Sequence, residues 1–126
     1  MILLDTHIWL RWQNIGRLPN HWIDIIETED EVAISAISCW ELAQLVKRKK
    51  VELPIEITEW IELASMDIEI LSINKEIALL SEQLPFHHKD PADRFIIATS
   101  IFYQAKLISL DTVFPQYQEL NDLLIK

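Results

Sequence analysis

The chain opens with MILLD at residues 1–5, which places an acidic side chain directly after a short apolar run. The pattern returns near the other end of the chain as LISLD at residues 107–111. Two further apolar runs lie between them, at residues 32–35 and 68–71. Short apolar, β-branched runs without polar alternation are typical of strands that are buried on both faces. The sequence therefore predicts four buried strands, two of which end directly at an aspartate.

The segments between these runs have helical spacing. Apolar residues recur at i, i+3, i+4 and i+7 from Cys39, from Ile57 and from Ala98. Shorter helices are predicted after Asp5 and at residues 20–28, 74–84 and 119–124. Alternating strands and helices imply right-handed crossovers and a parallel sheet covered on both faces. We expect an α/β fold with a central parallel sheet of four to five strands, in a single domain that spans residues 1–126.

Composition excludes several classes of protein. Gly16 is the only glycine, which disfavours the glycine-rich loops that bind nucleotide phosphates. Cys39 is the only cysteine, so neither a disulfide framework nor a cysteine-based zinc site is expected. No apolar run approaches the roughly 20 residues that cross a bilayer. We expect a soluble, cytoplasmic protein that does not associate with membranes. Its formal net charge of −9 is unusual for a general nucleic-acid binder but compatible with carboxylates around a cation, or with a basic partner.

Acidic residues from four separate segments are predicted to meet at one edge of the sheet. Asp5 and Asp111 follow strands, Glu41 lies in the first turn after the second strand, and Asp90 and Asp93 open the helix before the last strand. Ligands of parallel sheets bind beyond the carboxyl ends of the strands. Carboxylate oxygens are the usual ligands of hard cations, so this pattern predicts a divalent metal site.

Each acid also has a purely structural interpretation. Ser38 and Glu41 fit a capping box, and Asp90 followed by Pro91 fits a helix start. Taken singly, these interpretations are at least as good as a metal site. They do not explain why the acids converge at one edge, and they fit Asp90 best, which therefore ranks below the other four.

Four motifs, in order, resemble those of the PIN-domain ribonucleases and, among them, the VapC-type toxins. They are MILLDTHIWL at residues 1–10, SAISCWEL at 35–42, HKDPADRFIIA at 88–98 and LISLDTVF at 107–114. The resemblance implies a three-layer α/β/α sandwich. It also implies a catalytic and metal-binding quartet, with Asp90 as an additional candidate ligand. Thr6, Ser109 and Arg94 would support the site or bind substrate, Arg94 being equally suited to a structural ion pair. The implied quartet is Asp5, Glu41, Asp93 and Asp111.

The resemblance implies hydrolysis of RNA phosphodiester bonds with one or two Mg²⁺ or Mn²⁺ ions, which would lower the pKa of a bound water. It further implies a toxin with a cognate antitoxin whose basic tail meets the acids, and a homodimer, for which Trp12 and Trp22 are candidate surface residues.

The five tryptophans are expected to be buried for the most part, and an exposed one would more readily serve a protein interface. The basic run at residues 47–50 indicates first a solvated helix end and second an RNA contact. His87 and His88 lack the spacing of a metal-binding pair on a helix.

Three alternative classes share parts of this pattern. A haloacid-dehalogenase phosphatase needs a second aspartate two residues after Asp5, where this chain has His7. A phosphoacceptor receiver domain needs an aspartate after the third strand, where residues 71–73 offer none. A catalytically silent PIN-like binding module stays open, although all four acidic positions are filled.

Overall fold

A computed structural model describes residues 1–13 and 15–126 of the chain. Four strands and six α-helices alternate along it, followed by two 3-10 turns. The strands are β1 (Ile2–Leu4), β2 (Val32–Ser35), β3 (Glu69–Leu71) and β4 (Lys106–Ile108). The helices are α1 (Thr6–Trp12), α2 (Asn20–Thr28), α3 (Ala36–Lys47), α4 (Ile57–Ala64), α5 (Lys75–Gln83) and α6 (Pro91–Tyr103). None of the helices in these ranges is long and apolar enough to span a bilayer.

All strand pairs are parallel, and the sheet order is β3-β2-β1-β4. The chain adds strands to one side of β1 and then returns, through α5 and α6, to place β4 on the other side. The order therefore reverses between β1 and β4. In open α/β sheets, this switch point is where a crevice opens beyond the strand ends. The predicted α/β class with a parallel sheet is confirmed, with four strands.

Two apolar layers cover the sheet, one on each face. In β1, Ile2 and Leu4 pack with α1, α2 and α4, whereas Leu3 packs with α5 and α6 on the opposite face. Alternate residues of a strand point to opposite faces, so a continuous apolar run is what a sheet buried on both sides requires. The order helix, sheet, helix is the three-layer sandwich that the family resemblance implied.

Three details of the sequence prediction are wrong. The last strand ends at Ile108, so Asp111 follows it after two intervening residues rather than directly. β3 is an edge strand whose first two residues are exposed, not a buried strand. The predicted helix at 119–124 is a 3-10 turn at Gln118–Leu120, after which Leu124 forms an isolated parallel bridge with Leu107. That bridge pairs the outer edge of β4, which explains why the chain leaves helical geometry there.

Candidate active site

Asp5 and Ser109 lie side by side at the switch point. β1 and β4 are neighbours, and the Asp5 N–H donates to the carbonyl of Ile108 at 3.0 Å. Asp5 caps α1 by accepting from the Thr6 N–H at 2.8 Å, and its other oxygen accepts from the Ser109 hydroxyl at 2.6 Å. The Ser109 oxygen in turn accepts from the Asp111 N–H at 3.0 Å. The sharp turn after β4 therefore joins Asp111 to Asp5 through a single hydroxyl.

Glu41 is held by Thr6, not by a capping box. Helix α3 begins at Ala36 with Ser35 as its cap, which places Glu41 in the second turn. The Thr6 hydroxyl donates to Glu41 Oε1 at 2.6 Å and lies 2.8 Å from the Ser38 hydroxyl, which must then be the donor because Thr6 has a single proton. The predicted capping box of Ser38 and Glu41 is wrong. The Glu41 side chain instead bonds back to the end of β1.

The start of helix α6 contributes Asp90 and Asp93. Asp90 is its N-cap and accepts from the Ala92 N–H at 3.0 Å, which confirms its structural interpretation. Asp93 lies in the first turn, where one of its oxygens comes within 4.8 Å of an oxygen of Asp5 and of Glu41. The structure thus brings Asp5, Glu41 and Asp93 together from three elements, while Asp90 stays exposed at the rim.

His88 completes the arrangement, although its spacing from His87 in the sequence argued against a role at the site. Its Nε2 lies 2.8 Å from Asp111 Oδ2 and 3.0 Å from Asp93 Oδ2. Its Nδ1 accepts from the backbone N–H of Asp90 at 3.2 Å, so the ring proton belongs on Nε2 and points at the two acids. The sequence feature that could have indicated this role is the spacing of His88 and Asp90. His88 lies two residues before the helix cap, so the Asp90 N–H can orient its ring.

Burial destabilises the charged forms of Asp5, Glu41 and Asp93, and their mutual proximity adds to this effect. Burial raises the pKa of Asp93 to about 9, and the charges of Asp5 and Glu41 contribute to this rise. Burial also raises the pKa of Glu41 to about 7, against the Thr6 hydrogen bond. Burial raises the pKa of Asp5 despite its hydrogen bonds from Ser109 and Thr6. Such a group is stabilised by a proton or by a cation.

The acids line a cleft of about 340 Å³ that is open to solvent. Asp5 lies deepest, with 5% of its surface exposed. The carboxylate oxygens of Asp5, Glu41 and Asp93 form a set that fits a hard divalent cation. His88 and Asp111 adjoin this set through Asp93, and the Nε2–H of His88 orients carboxylates instead of binding metal. The cluster can therefore hold a metal ion. The cleft is also lined by His7 and Arg11, which are exposed.

Arg94 lies behind the site rather than in it. It is 8% exposed, its guanidinium donates to the His88 carbonyl at 3.4 Å, and it pairs with Glu82 at 3.6 Å. It also lies over the Phe86 ring, 4.7 Å from the centroid. Of its two predicted roles, these contacts match the structural one, since they brace the loop that presents His88.

The tryptophans are largely buried, as predicted. Trp22 is only 8% exposed, which makes it wrong as a candidate for a dimer surface, and Trp12 is half-buried. Trp40 is the exception, with 51% of its surface exposed.

The sheet order and the acids at its switch point define an α/β protein with a carboxylate cluster that can hold a divalent cation. The chain belongs to the PIN domain family, whose family model matches residues 2–120. It is 33% identical over 112 residues to Ribonuclease VapC22 of Mycobacterium tuberculosis, covering 87% of this chain and 86% of that protein. The predicted membership among the PIN-domain ribonucleases is confirmed.

Solved structures share the fold. A VapBC2 complex from Rickettsia felis, bound to a DNA fragment from its promoter, aligns with a TM-score of 0.73 at 20% identity, over 99% of this chain and 98% of that one. A toxin–antitoxin complex from Klebsiella pneumoniae aligns with a TM-score of 0.68 at 20% identity, over 100% of this chain and 97% of that one. At these identities the likeness concerns the architecture.

Proposed function

We propose that this PIN-domain ribonuclease is an Mg²⁺- or Mn²⁺-dependent endoribonuclease whose ion is held by Asp5, Glu41, Asp93 and Asp111. The observation that supports this most is the convergence of three carboxylates within 4.8 Å at the switch point, with Asp111 joined to them through Ser109 and His88. Buried acids with raised pKa values are stabilised by protons or by a cation, and a divalent cation can compensate several carboxylates at once.

When bound by these carboxylates, a divalent cation would neutralise charge on the RNA phosphate and lower the pKa of a nearby water. The chain's own groups keep the carboxylates in one geometry. Ser109 and the Thr6 N–H fix the two oxygens of Asp5, and the Thr6 hydroxyl fixes Glu41. The Val113 N–H donates to Asp111 Oδ1 at 2.7 Å, leaving Asp111 Oδ2 for the His88 ring. Preorganisation of this kind avoids the cost of reorganising charges during reaction.

His88 is a positioning residue in this proposal. Its Nε2–H spans Asp93 and Asp111, which come from different elements. Substitution of a group that orients metal ligands commonly lowers metal affinity or activity by about tenfold to a hundredfold. The expected reaction is hydrolysis that leaves 5′-phosphate and 3′-hydroxyl ends.

We further propose that the enzyme acts as the growth-inhibiting toxin of a toxin–antitoxin pair in the cytoplasm, where its RNA substrates are. The relatives of like fold are toxin–antitoxin complexes, and a chain of net charge −9 suits a basic antitoxin segment that approaches the acids. A homodimer is part of the same proposal. If the purified protein is a monomer and does not bind the product of its neighbouring gene, both the antitoxin and the homodimer parts of the proposal are contradicted.

The test is cleavage of total bacterial RNA by purified, antitoxin-free protein, in Mg²⁺ or Mn²⁺ and in EDTA. The Asp5→Asn variant is the control, because asparagine retains the size and the capping ability of aspartate. We expect discrete fragments that require metal and are absent with Asp5→Asn, and end mapping then identifies the target. Undiminished cleavage by a folded Asp5→Asn protein would show that the site lies elsewhere. Absence of all cleavage would favour a binding module.

A further inference from the structure

A second cleft continues from the acidic one along helix α3. It has a volume of about 430 Å³ and shares His7, Glu41 and Asp90 with the acidic cleft. Its remaining lining includes Trp40 and two cations, Arg48 and Lys50. The two clefts therefore form one continuous groove whose acidic end holds the carboxylates and whose other end is aromatic and basic.

The backbone explains how the cations reach this groove. Helix α3 ends at Lys47, and Lys49 adopts a left-handed conformation with φ of 59°. This reversal lets the Lys50 N–H donate to the carbonyl of Leu45 at 2.8 Å, so the chain folds back over the helix. Lys50 returns to the cleft that contains Trp40, whereas Lys49 lines a separate apolar groove of about 500 Å³. The basic run is thus divided between two grooves.

The aromatic and basic groups of this cleft are available to a ligand. Trp40 precedes Glu41 in α3 and exposes half of its surface. Arg48 and Lys50 are exposed, and neither forms an ion pair within the part of the chain that the structure describes. Arg48 and Lys50 thus place positive charge beside the acidic site in a protein whose net charge is −9.

We propose that this cleft, which we call the α3 cleft, binds the single-stranded RNA that leads into the active site. Trp40 stacks on an unpaired base, and Arg48 and Lys50 bind backbone phosphates. Stacking of bases on exposed aromatic rings beside a positively charged groove is how proteins bind single strands without requiring one sequence. This inference rests on the proposed ribonuclease function, whose substrate it describes.

Two observations favour RNA over a protein partner. The α3 cleft is continuous with the acids, so a strand held by Trp40 is already directed at them. The reacting phosphate must also reach Asp5, which is almost buried at the base of its cleft. A flexible single strand can extend a phosphate into such a cleft, whereas a regular duplex keeps its phosphates on a rigid helix.

The experiment measures RNA binding apart from cleavage. A fluorescein-labelled, unstructured RNA of about 12 nucleotides, matching the span of common single-strand sites, is titrated in Mg²⁺ with Asp5→Asn protein, and a gel verifies that it stays intact. Trp40→Ala and the double variant Arg48→Gln/Lys50→Gln are made in this background. Lys49→Gln is the matched control, because it removes one charge from the adjacent residue on the other groove.

We expect Trp40→Ala to weaken binding about tenfold, the effect of removing one stacked base. The double variant should lower the salt dependence, the slope of log K against log[salt], by about 0.7 for each phosphate that the protein no longer neutralises. Lys49→Gln should leave affinity and slope close to those of the parent protein. RNA should also quench the fluorescence of Trp40, and Trp40→Phe should abolish most of that change while retaining binding. Circular dichroism checks that each variant is folded.

Equal binding by Trp40→Ala and its parent would overturn the proposal. So would a loss of binding free energy per removed charge that is the same for Lys49→Gln as for the double variant. Variants that bind RNA normally but fail to dimerise or to bind the antitoxin would assign the α3 cleft to a protein interface and overturn it too. These outcomes are separable from failure of the proposed function, which would show as absence of cleavage by wild-type protein in the total-RNA assay.

Discussion

The apolar layers around the sheet and the acidic cleft at its carboxyl edge both remove side chains from water, yet they act oppositely on stability. Leu3 and its neighbours are apolar side chains, whose removal from water stabilises the fold. Asp5 and Asp93 are removed from water at a cost that their raised pKa values record. The apolar layers therefore stabilise the fold, and the buried acids of the cleft lower that stability, as functional sites commonly do. Substitutions in the two regions should therefore have opposite consequences.

The largest effect is expected from Asp93→Asn. It removes a carboxylate from the centre of the cluster, and cleavage of RNA should fall by about a thousandfold or more, a decrease typical of removing a key electrostatic group. The measurement is the initial rate of cleavage in Mn²⁺. Asp90→Asn is the control from the same helix turn, because asparagine caps a helix as well as aspartate does. Equal activity of the two variants would refute the separate roles of these acids.

A large effect on stability, as opposed to activity, is expected from Leu3→Ala. Leu3 is fully buried in a central strand, so the free energy of unfolding should fall by about 2–5 kcal/mol. Leu79→Ala is the control, because that leucine is exposed on α5 and its truncation should cost no more than about 0.5 kcal/mol. Urea denaturation of both variants measures the difference. Similar midpoints would mean that Leu3 is not part of a packed core.

An intermediate effect is expected from His88→Ala. Removal of the imidazole releases Asp93 and Asp111 from each other, and the turnover number should fall about tenfold to a hundredfold while KM for RNA changes little. His87→Ala is the control, since the His87 ring packs against Tyr117 at 4.8 Å between centroids instead of facing the acids. A change in KM alone, with turnover intact, would disagree with a positioning role.

A further effect is a pH dependence of the stability of the metal-free protein. The pKa of Glu41 is raised from 4.5 to about 7 and that of Asp93 from 3.8 to about 9, so folding favours their protonated forms. Their contribution to stability is fully present below the unfolded values and is lost as pH rises through about 7 and then about 9. In EDTA, wild-type protein should therefore lose more stability than Asp93→Asn between about pH 5 and pH 9. Parallel pH profiles would contradict the assignment.

The sequence predicted the sheet and the acids because both depend on local patterns. Apolar runs such as residues 2–4 mark buried strands, and parallel strand ends must meet at one edge. Which serine caps α3 could not be predicted, since Ser35 and Ser38 are both good caps and the choice depends on where β2 ends. The Ser38 hydroxyl then bonds to Thr6, which is 32 residues away in the chain.

The roles of two functional residues, His88 and Trp40, could not be predicted from the sequence either. A histidine in a loop has no periodicity, and its position between Asp93 and Asp111 follows from the cap that Asp90 forms. Five tryptophans look equally suited to the core in the sequence, and only the packing of α3 leaves Trp40 exposed. The exposure of Trp40 and the position of the His88 ring are tertiary properties, which local sequence patterns do not encode.

The most direct test of the central claim, that the acidic cleft is stabilised by a cation, is thermal unfolding of wild-type protein and Asp93→Asn in EDTA and in Mn²⁺. In EDTA at neutral pH, Asp93→Asn should melt at the higher temperature, because Asp93 must take up a proton to be buried in the cluster and asparagine does not. Saturating Mn²⁺, about a hundredfold above Kd, should raise the Tm of wild-type protein by about 10 °C and that of Asp93→Asn far less. A wild-type Tm that neither Mn²⁺ nor Mg²⁺ raises, and that Asp93→Asn does not exceed in EDTA, would contradict the account.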